Sequence, residues 1–222
     1  MEIVEITKEQ AIDYLSDKEN IIGQGTYGIL YKYNDTTLIK LYYKDYIYTY
    51  FTLDSKIFEK EIEANLNVIK SLKELGIKHN NKLEKLKKLH CILQLTDCYN
   101  LIKGVVTYKN YPVGVLLEYY KDYQTLKEIF FYLSIKEKIT VLEKIKSLIE
   151  SLMENNIYLE DIKENNIMVN KNTLDVKLID LDGEQVRIEE KSYIEKHPFI
   201  KRRCIDDYNH MIKRLNENSF AD

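Results

Sequence analysis

The period of the apolar residues changes several times along this chain, and each change predicts an element. Over residues 135–155 they recur at Ile139, Leu142, Ile145, Ile149 and Leu152, the three-and-four spacing of an amphipathic helix. Phe58, Ile62 and Leu66 keep that spacing and predict a helix carrying Glu59, Glu61 and Glu63. Over residues 82–89 leucines stand at every third position with charges between them, which predicts an added helix packed on its neighbours. Elsewhere the pattern is that of strands. A hairpin runs through residues 21–33, a turn falls at Asn34-Asp35, and a third strand follows over 37–42. Further strands are predicted near 102–106 and over 113–120. Leu174, Val176 and Leu178 alternate after a turn at 170–173. Strands thus gather in residues 1–118 and helices in 119–222. The join carries no Pro/Gly/Ser linker and no repeats occur, so the expected fold class is α+β, two halves acting as one unit.

Composition narrows the class. With 222 residues, 45 % hydrophobic and 31 % charged, the chain can bury a substantial core and is predicted to be soluble. A net charge of −3 gives no reason to expect nucleic acid as a partner, and no apolar run is long enough to predict a membrane span. The N-terminal residues MEIVEITKEQ lack the basic-then-apolar pattern of a secretory signal, which predicts a cytoplasmic protein and leaves open delivery into another cell. Cys91, Cys98 and Cys204 form no C-x-x-C pair and are expected as reduced thiols. Abundant Lys, Ile, Asn and Tyr suggest an AT-rich, microbial coding genome.

The candidate chemistry lies in residues 159–169, LEDIKENNIMV, and 178–183, LIDLDG. Asp161 is followed by Lys163 and Asn166, and a second apolar run ends in Asp180. Transfer of a phosphoryl group from a nucleotide requires such a set. One carboxylate orients the attacking hydroxyl, a cation offsets charge on the moving group, and an amide with a second carboxylate holds magnesium. Upstream, Gly23, Gly25 and Gly28 form G-x-G-x-x-G with an apolar Leu30 two residues later. Three of the seven glycines fall in this window, and glycine lets a backbone approach phosphates and present N–H groups to them. The same motif opens dinucleotide-binding folds, but there a helix follows, whereas here a strand does. Lys40 stands in an apolar strand twelve residues after Gly28.

Taken together, these motifs resemble the eukaryotic-like (Hanks-type) serine/threonine protein kinases over about residues 20–210. The resemblance implies a bilobal fold with a β-rich N-lobe over 1–118 and a truncated helical C-lobe over 119–222. It implies ATP and Mg2+ as cofactors and a protein substrate. Asp161 and Lys163 take the catalytic roles, and Asn166 and Asp180 hold the metal with Asp182 as helper. Gly23, Gly25 and Gly28 cover the phosphates. Lys40 contacts the α- and β-phosphates, and the pattern F-x-x-E-[IV]-x-x-[LM] selects Glu61 as the residue holding it. Leu117 falls at the gatekeeper position, with the main chain of Glu118 and Tyr120 facing adenine. Asp206 opens the central helix and anchors the catalytic loop.

The departures matter as much. Glu160 stands where the family has the arginine that pairs with an activation-loop phosphate, which predicts activity without that phosphorylation. Asp182 replaces a glycine, as in the I-D-x-[DE] ending of aminoglycoside and choline phosphotransferases, so a small-molecule kinase is the alternative. A nucleotide-binding pseudokinase scaffold is another. Asp-x-Lys-x-x-Asn favours the serine/threonine class. Leu38 replaces a small residue above adenine. Only 42 residues follow Asp180 and no Ala-Pro-Glu occurs, so a substrate or an activating protein partner is expected to complete the docking surface. His197 and His210 are expected to be structural or exposed. The aromatic run over 42–51 is expected to pack on itself and on the sheet.

Overall fold

A computed structural model describes residues 2–7, 9–10, 13–14, 19–25, 28–42, 82–93, 102–108, 111–182 and 186–218. The helix expected at 58–66 with its Glu61, and all but Tyr42 of the aromatic run, lie outside the described residues. The architecture is α+β. By proximity the described residues fall into two compact units, one from within 1–91 and 101–119, the other from within 92–100 and 120–222.

The first unit is built on a six-stranded sheet. Its strands are β1 (Glu2–Glu5), β2 (Ile21–Gln24), β3 (Gly28–Asn34), β4 (Thr37–Tyr42), β5 (Ile102–Tyr108) and β6 (Tyr111–Glu118), in the spatial order β1-β5-β6-β4-β3-β2. Only the β1–β5 pairing is parallel. Alternate residues of a strand face opposite ways. Ile29 and Tyr31 of β3, Ile39 and Leu41 of β4, and Val106, Tyr108, Val113 and Leu116 therefore build one core cluster with Ile6. Helix α1 (Lys82–Leu93) buries Leu86 and Leu89 completely, and its His90 Nδ1 lies 2.6 Å from the Ile102 carbonyl oxygen.

Two glycines grip the central strand. A Cβ on Gly28 would lie 2.3 Å from the Leu41 carbonyl oxygen, and one on Gly114 would lie 2.3 Å from that of Lys40. Both contacts are with backbone and cannot yield, so β4 has neighbours on each side that only glycine permits.

In the second unit come β7 (Gln124–Thr125), α2 (Leu126–Ile129), a 3-10 turn (Phe130–Tyr132), α3 (Ile135–Glu154) and β8 (Ile157–Leu159). A second 3-10 turn (Glu164–Asn166), β9 (Ile167–Val169), β10 (Val176–Leu178), β11 (Val186–Ile188), α4 (Lys191–Lys196) and α5 (Phe199–Asn218) complete it. The strands form two small sheets, β10-β9-β7 and β11-β8. Ser134 and Glu137 close a capping box that starts α3. Its buried stripe is Val141, Ile145, Ile149 and Leu152. Ile139, expected on that stripe, is 53 % exposed, because two residues along a helix turn the side chain about 200° from Val141. Tyr158 of β8 packs with Ile194 of α4 and Ile200 of α5, and the Tyr208 hydroxyl donates to the Leu142 carbonyl. No helix among the described residues is long and apolar enough to cross a membrane.

Candidate active site

Ile157–Leu159 is the last regular backbone before Asp161. The chain then runs irregularly until the 3-10 turn, whose Asn166 N–H donates to the Lys163 carbonyl at 2.9 Å. Three ties fix the loop. Lys163 Nζ lies 2.6 Å from Asp161 Oδ2, with both side chains about two-fifths exposed. The Asn166 side-chain amide donates to the Asp161 carbonyl at 3.3 Å. The Ile179 N–H donates to the Asn166 carbonyl at 2.9 Å, joining this loop to the one that carries Asp180. Asp161, Lys163, Asn166 and Asp180 then border a single small pocket, with Leu159, Ile162, Ile167, Leu178, Ile179, Leu181 and Val186 as its apolar lining.

Asp180 has φ 62°, the left-handed region. Aspartate tolerates it better than bulky residues do, but such conformations persist where the surroundings enforce them. Asn166 commits its Nδ2 to the Asp161 carbonyl, so the group on this side chain able to bind a cation is its amide oxygen. That amide oxygen and the Asp180 carboxylate are hard oxygen donors, the kind magnesium takes. Asp182 is 3 % exposed and is not part of the pocket lining. Among the described residues no group of three or more His, Cys, Asp or Glu is arranged to hold a metal.

In the first unit, Lys40 points to the face opposite Ile39 and Leu41 yet is only 6 % exposed. It sits across from Leu30 on β3 and Val115 on β6. In the β2–β3 hairpin the Gly25 N–H donates to the Gly28 carbonyl at 3.0 Å. A Cβ on Gly25 would meet nothing within 4 Å, and one on Gly23 only Leu30 Cδ1 at 3.7 Å. Packing among the described residues therefore explains Gly28 and does not require glycine at 23 or 25. Leu117 is buried, Glu118 is half-buried opposite Thr37, and Tyr119 donates its N–H to the Thr36 carbonyl. The Tyr120 carbonyl accepts the Tyr123 N–H at 3.2 Å.

Sequence reasoning noted Glu160 but missed its partner Arg187, and missed Glu164, Arg214 and Asp207 around the loop. Glu160, placed by the motif where an arginine is usual, is paired with Arg187 of β11. Glu164 is bonded to Arg214 of α5 at 2.9 Å. Burial is the largest single influence on the Glu164 carboxyl and raises it, but the Arg214 hydrogen bond, a backbone hydrogen bond and the Arg214 and Lys127 charges together hold the group below the usual range. The α5 residue beside the loop is Asp207, whereas Asp206 faces solvent toward Arg202 at 3.7 Å. The Asp207 Oδ2 is shielded from solvent with no hydrogen-bond partner among the described residues. Burial pushes this carboxyl up, and the Asp161 charge adds to the effect against Arg203. The charges opposite each other across these elements were the only signal available, and spacing alone does not pair them. His210 is exposed and borders the loop cavity, and His197 stacks on Tyr193 at 4.1 Å. The chain matches no protein-family model, and no curated protein matches it.

Proposed function

We propose that this chain is an ATP- and magnesium-dependent phosphotransferase acting on serine or threonine hydroxyls of a protein. We read its α+β fold as a compact kinase-like fold in which the six-stranded sheet forms the small lobe. One observation carries the proposal. Asp161, Lys163, Asn166 and Asp180, which the motif groups by chemistry, border one pocket although up to nineteen positions apart. The glycines at 23 and 25 lend support, since packing among the described residues does not demand them and glycine lets a backbone approach phosphate oxygens closely.

In this reading the Asp161 carboxylate orients the acceptor hydroxyl and takes its proton. Lys163, already beside that carboxylate, screens the charge that develops on the transferred group. Asn166 Oδ1 and Asp180 would hold magnesium, which supplies neutralisation of the phosphate oxygens. Lys40 is a buried cation for the α- and β-phosphates, with Glu61 as its partner, and main-chain groups of Glu118 and Tyr120 receive adenine. Positioning and electrostatics supply most of the rate. An activating protein partner would complete the acceptor surface.

Incubation with γ-labelled ATP and magnesium tests the proposal. The expected result is label on serine or threonine of protein, reduced about 10²–10⁴-fold in Asp161→Ala with the melting curve unchanged. Label found only on a small molecule would move the protein to the aminoglycoside-type alternative. No transfer, with nucleotide bound, would make it a scaffold.

A further inference from the structure

Asp161 and Asp180 both lie in irregular backbone, so what fixes their separation is the structure on either side of them. On one side β9 and β10 pair Ile167 with Leu178, and the Ile179 N–H to Asn166 carbonyl bond extends that ladder by one step. On the other side β8 and β11 pair Leu159 with Val186. Asp161 is two residues beyond Leu159, and Asp180 is two beyond Leu178. The first ladder is backed by β7, which pairs with β9. The second, also of three residue pairs and extended by the Glu189 N–H to Asn156 carbonyl bond at 3.1 Å, has no third strand among the described residues. Ladders that short are marginal without side-chain support.

Burial of Ile157, Tyr158 and Val186 supplies part of that support, and an ionic contact is added at the end nearest Asp161. Arg187 stands opposite Tyr158, and its side chain reaches diagonally to Glu160, two residues further along β8's exit. Its Nε meets the Glu160 carboxylate, while Nη1 lies 4.0 Å from Glu189. The guanidinium is therefore held between two carboxylates, a geometry that its planar fork favours and a lysine does not reproduce. Glu160 is 19 % exposed and immediately precedes Asp161. Any shift of that side chain is transmitted through one peptide unit to the carboxylate next to it.

We propose that Glu160 and Arg187 are a positioning pair that locks the β8–β11 ladder and so sets Asp161 relative to Asp180. Neither residue lines the pocket that Asp161 and Asp180 share. The pair is a fixed, intramolecular clamp on the segment following Asp180, present with no modification of the chain. The inference rests on the phosphotransferase reading for its effect on rate, but not for its effect on the loop.

The test uses the full chain in four forms, R187A, R187K, E160Q and the reciprocal E160R/R187E, with amide hydrogen exchange beside kinetics. In R187A, kcat for transfer is expected to fall roughly tenfold or more while KM for ATP holds within about twofold. Amides of residues 161–163 and 180–182 should exchange roughly tenfold faster, with those of α3 unchanged. R187K should recover part of both effects and the reciprocal variant most of them. If R187A does not fold, E160Q takes its place in each comparison. Unaltered kcat and exchange, a uniform loss of protection across the unit, or a reciprocal variant no better than either single change would overturn the proposal. If the wild-type chain transfers no phosphate at all, the function assigned above fails, and exchange in the two loops decides this inference alone.

Discussion

Lys40 and Asp161 are held in place by opposite means. Lys40 sits in the middle of a six-stranded sheet, with a strand hydrogen-bonded on each side and a glycine pressed against its strand from each neighbour. Asp161 sits in four residues of irregular chain, held by a lysine, an asparagine amide and the ion pair next door. The first position is set by packing, so damage to it should appear as lost stability. The second is set by polar contacts at half-exposed groups, which contribute little to stability, so damage there should appear as misplacement. A single chain thus divides its demands: the sheet is rigid at the cost of sequence freedom, and the loop is adjustable at the cost of needing several weak ties.

The largest expected effect that would break this comparison is in the sheet. Gly28→Ala and Gly114→Ala each force a Cβ to within 2.3 Å of a backbone oxygen. Each should lower stability by about 3 kcal/mol in urea unfolding, because strand backbone cannot move without parting the ladder. Gly25→Ala, which meets nothing within 4 Å, should change stability by less than about 1 kcal/mol. Equal losses at positions 25 and 28 would show that hairpin entropy, not close approach, governs these glycines.

A smaller effect sharpens the loop side. Arg214→Ala removes the partner that holds Glu164 below the usual carboxyl range. A depressed carboxyl adds stability above its unfolded-state pKa and loses it as pH falls through the folded-state value. The variant should therefore be less stable than wild type at pH 7, by no more than about 1 kcal/mol, and the gap should close in acid. Thermal melts from pH 7 down to pH 3 measure it, and a gap that stays constant with pH would mean that Arg214 acts by packing alone.

The smallest effect has the opposite sign. Asp207 is raised by burial, so its contribution is most favourable below the ordinary carboxyl pKa and is lost as pH rises through the folded-state value. Asp207→Asn should melt slightly higher than wild type at pH 7 and no higher in acid. A destabilised variant at pH 7 would mean that the carboxylate is satisfied by a group not recognised above.

What the sequence made legible follows the same division. Strands β3, β4 and β6 and helix α3 were readable because apolar periodicity encodes burial, and burial is what forms them. Asp161, Lys163, Asn166 and Asp180 were singled out together by their spacing, and the fold brings them to the border of one pocket. Glu160–Arg187, Glu164–Arg214 and Asp207 were not, because a contact between residues 27 to 50 positions apart leaves no local period. Asp206 was favoured over Asp207 for a related reason: neighbouring helix positions differ by about 100° in direction, which only the packed helix reveals. Ile139 went astray in the same way.

The parallel pairing of β1 with β5 has a consequence for how the protein is made. Residues 2–5 align with residues 104–107, so the opening segment of the chain has no ladder to join until the ribosome has released about a hundred further residues. The closing of that sheet edge is therefore a late, long-range event during synthesis.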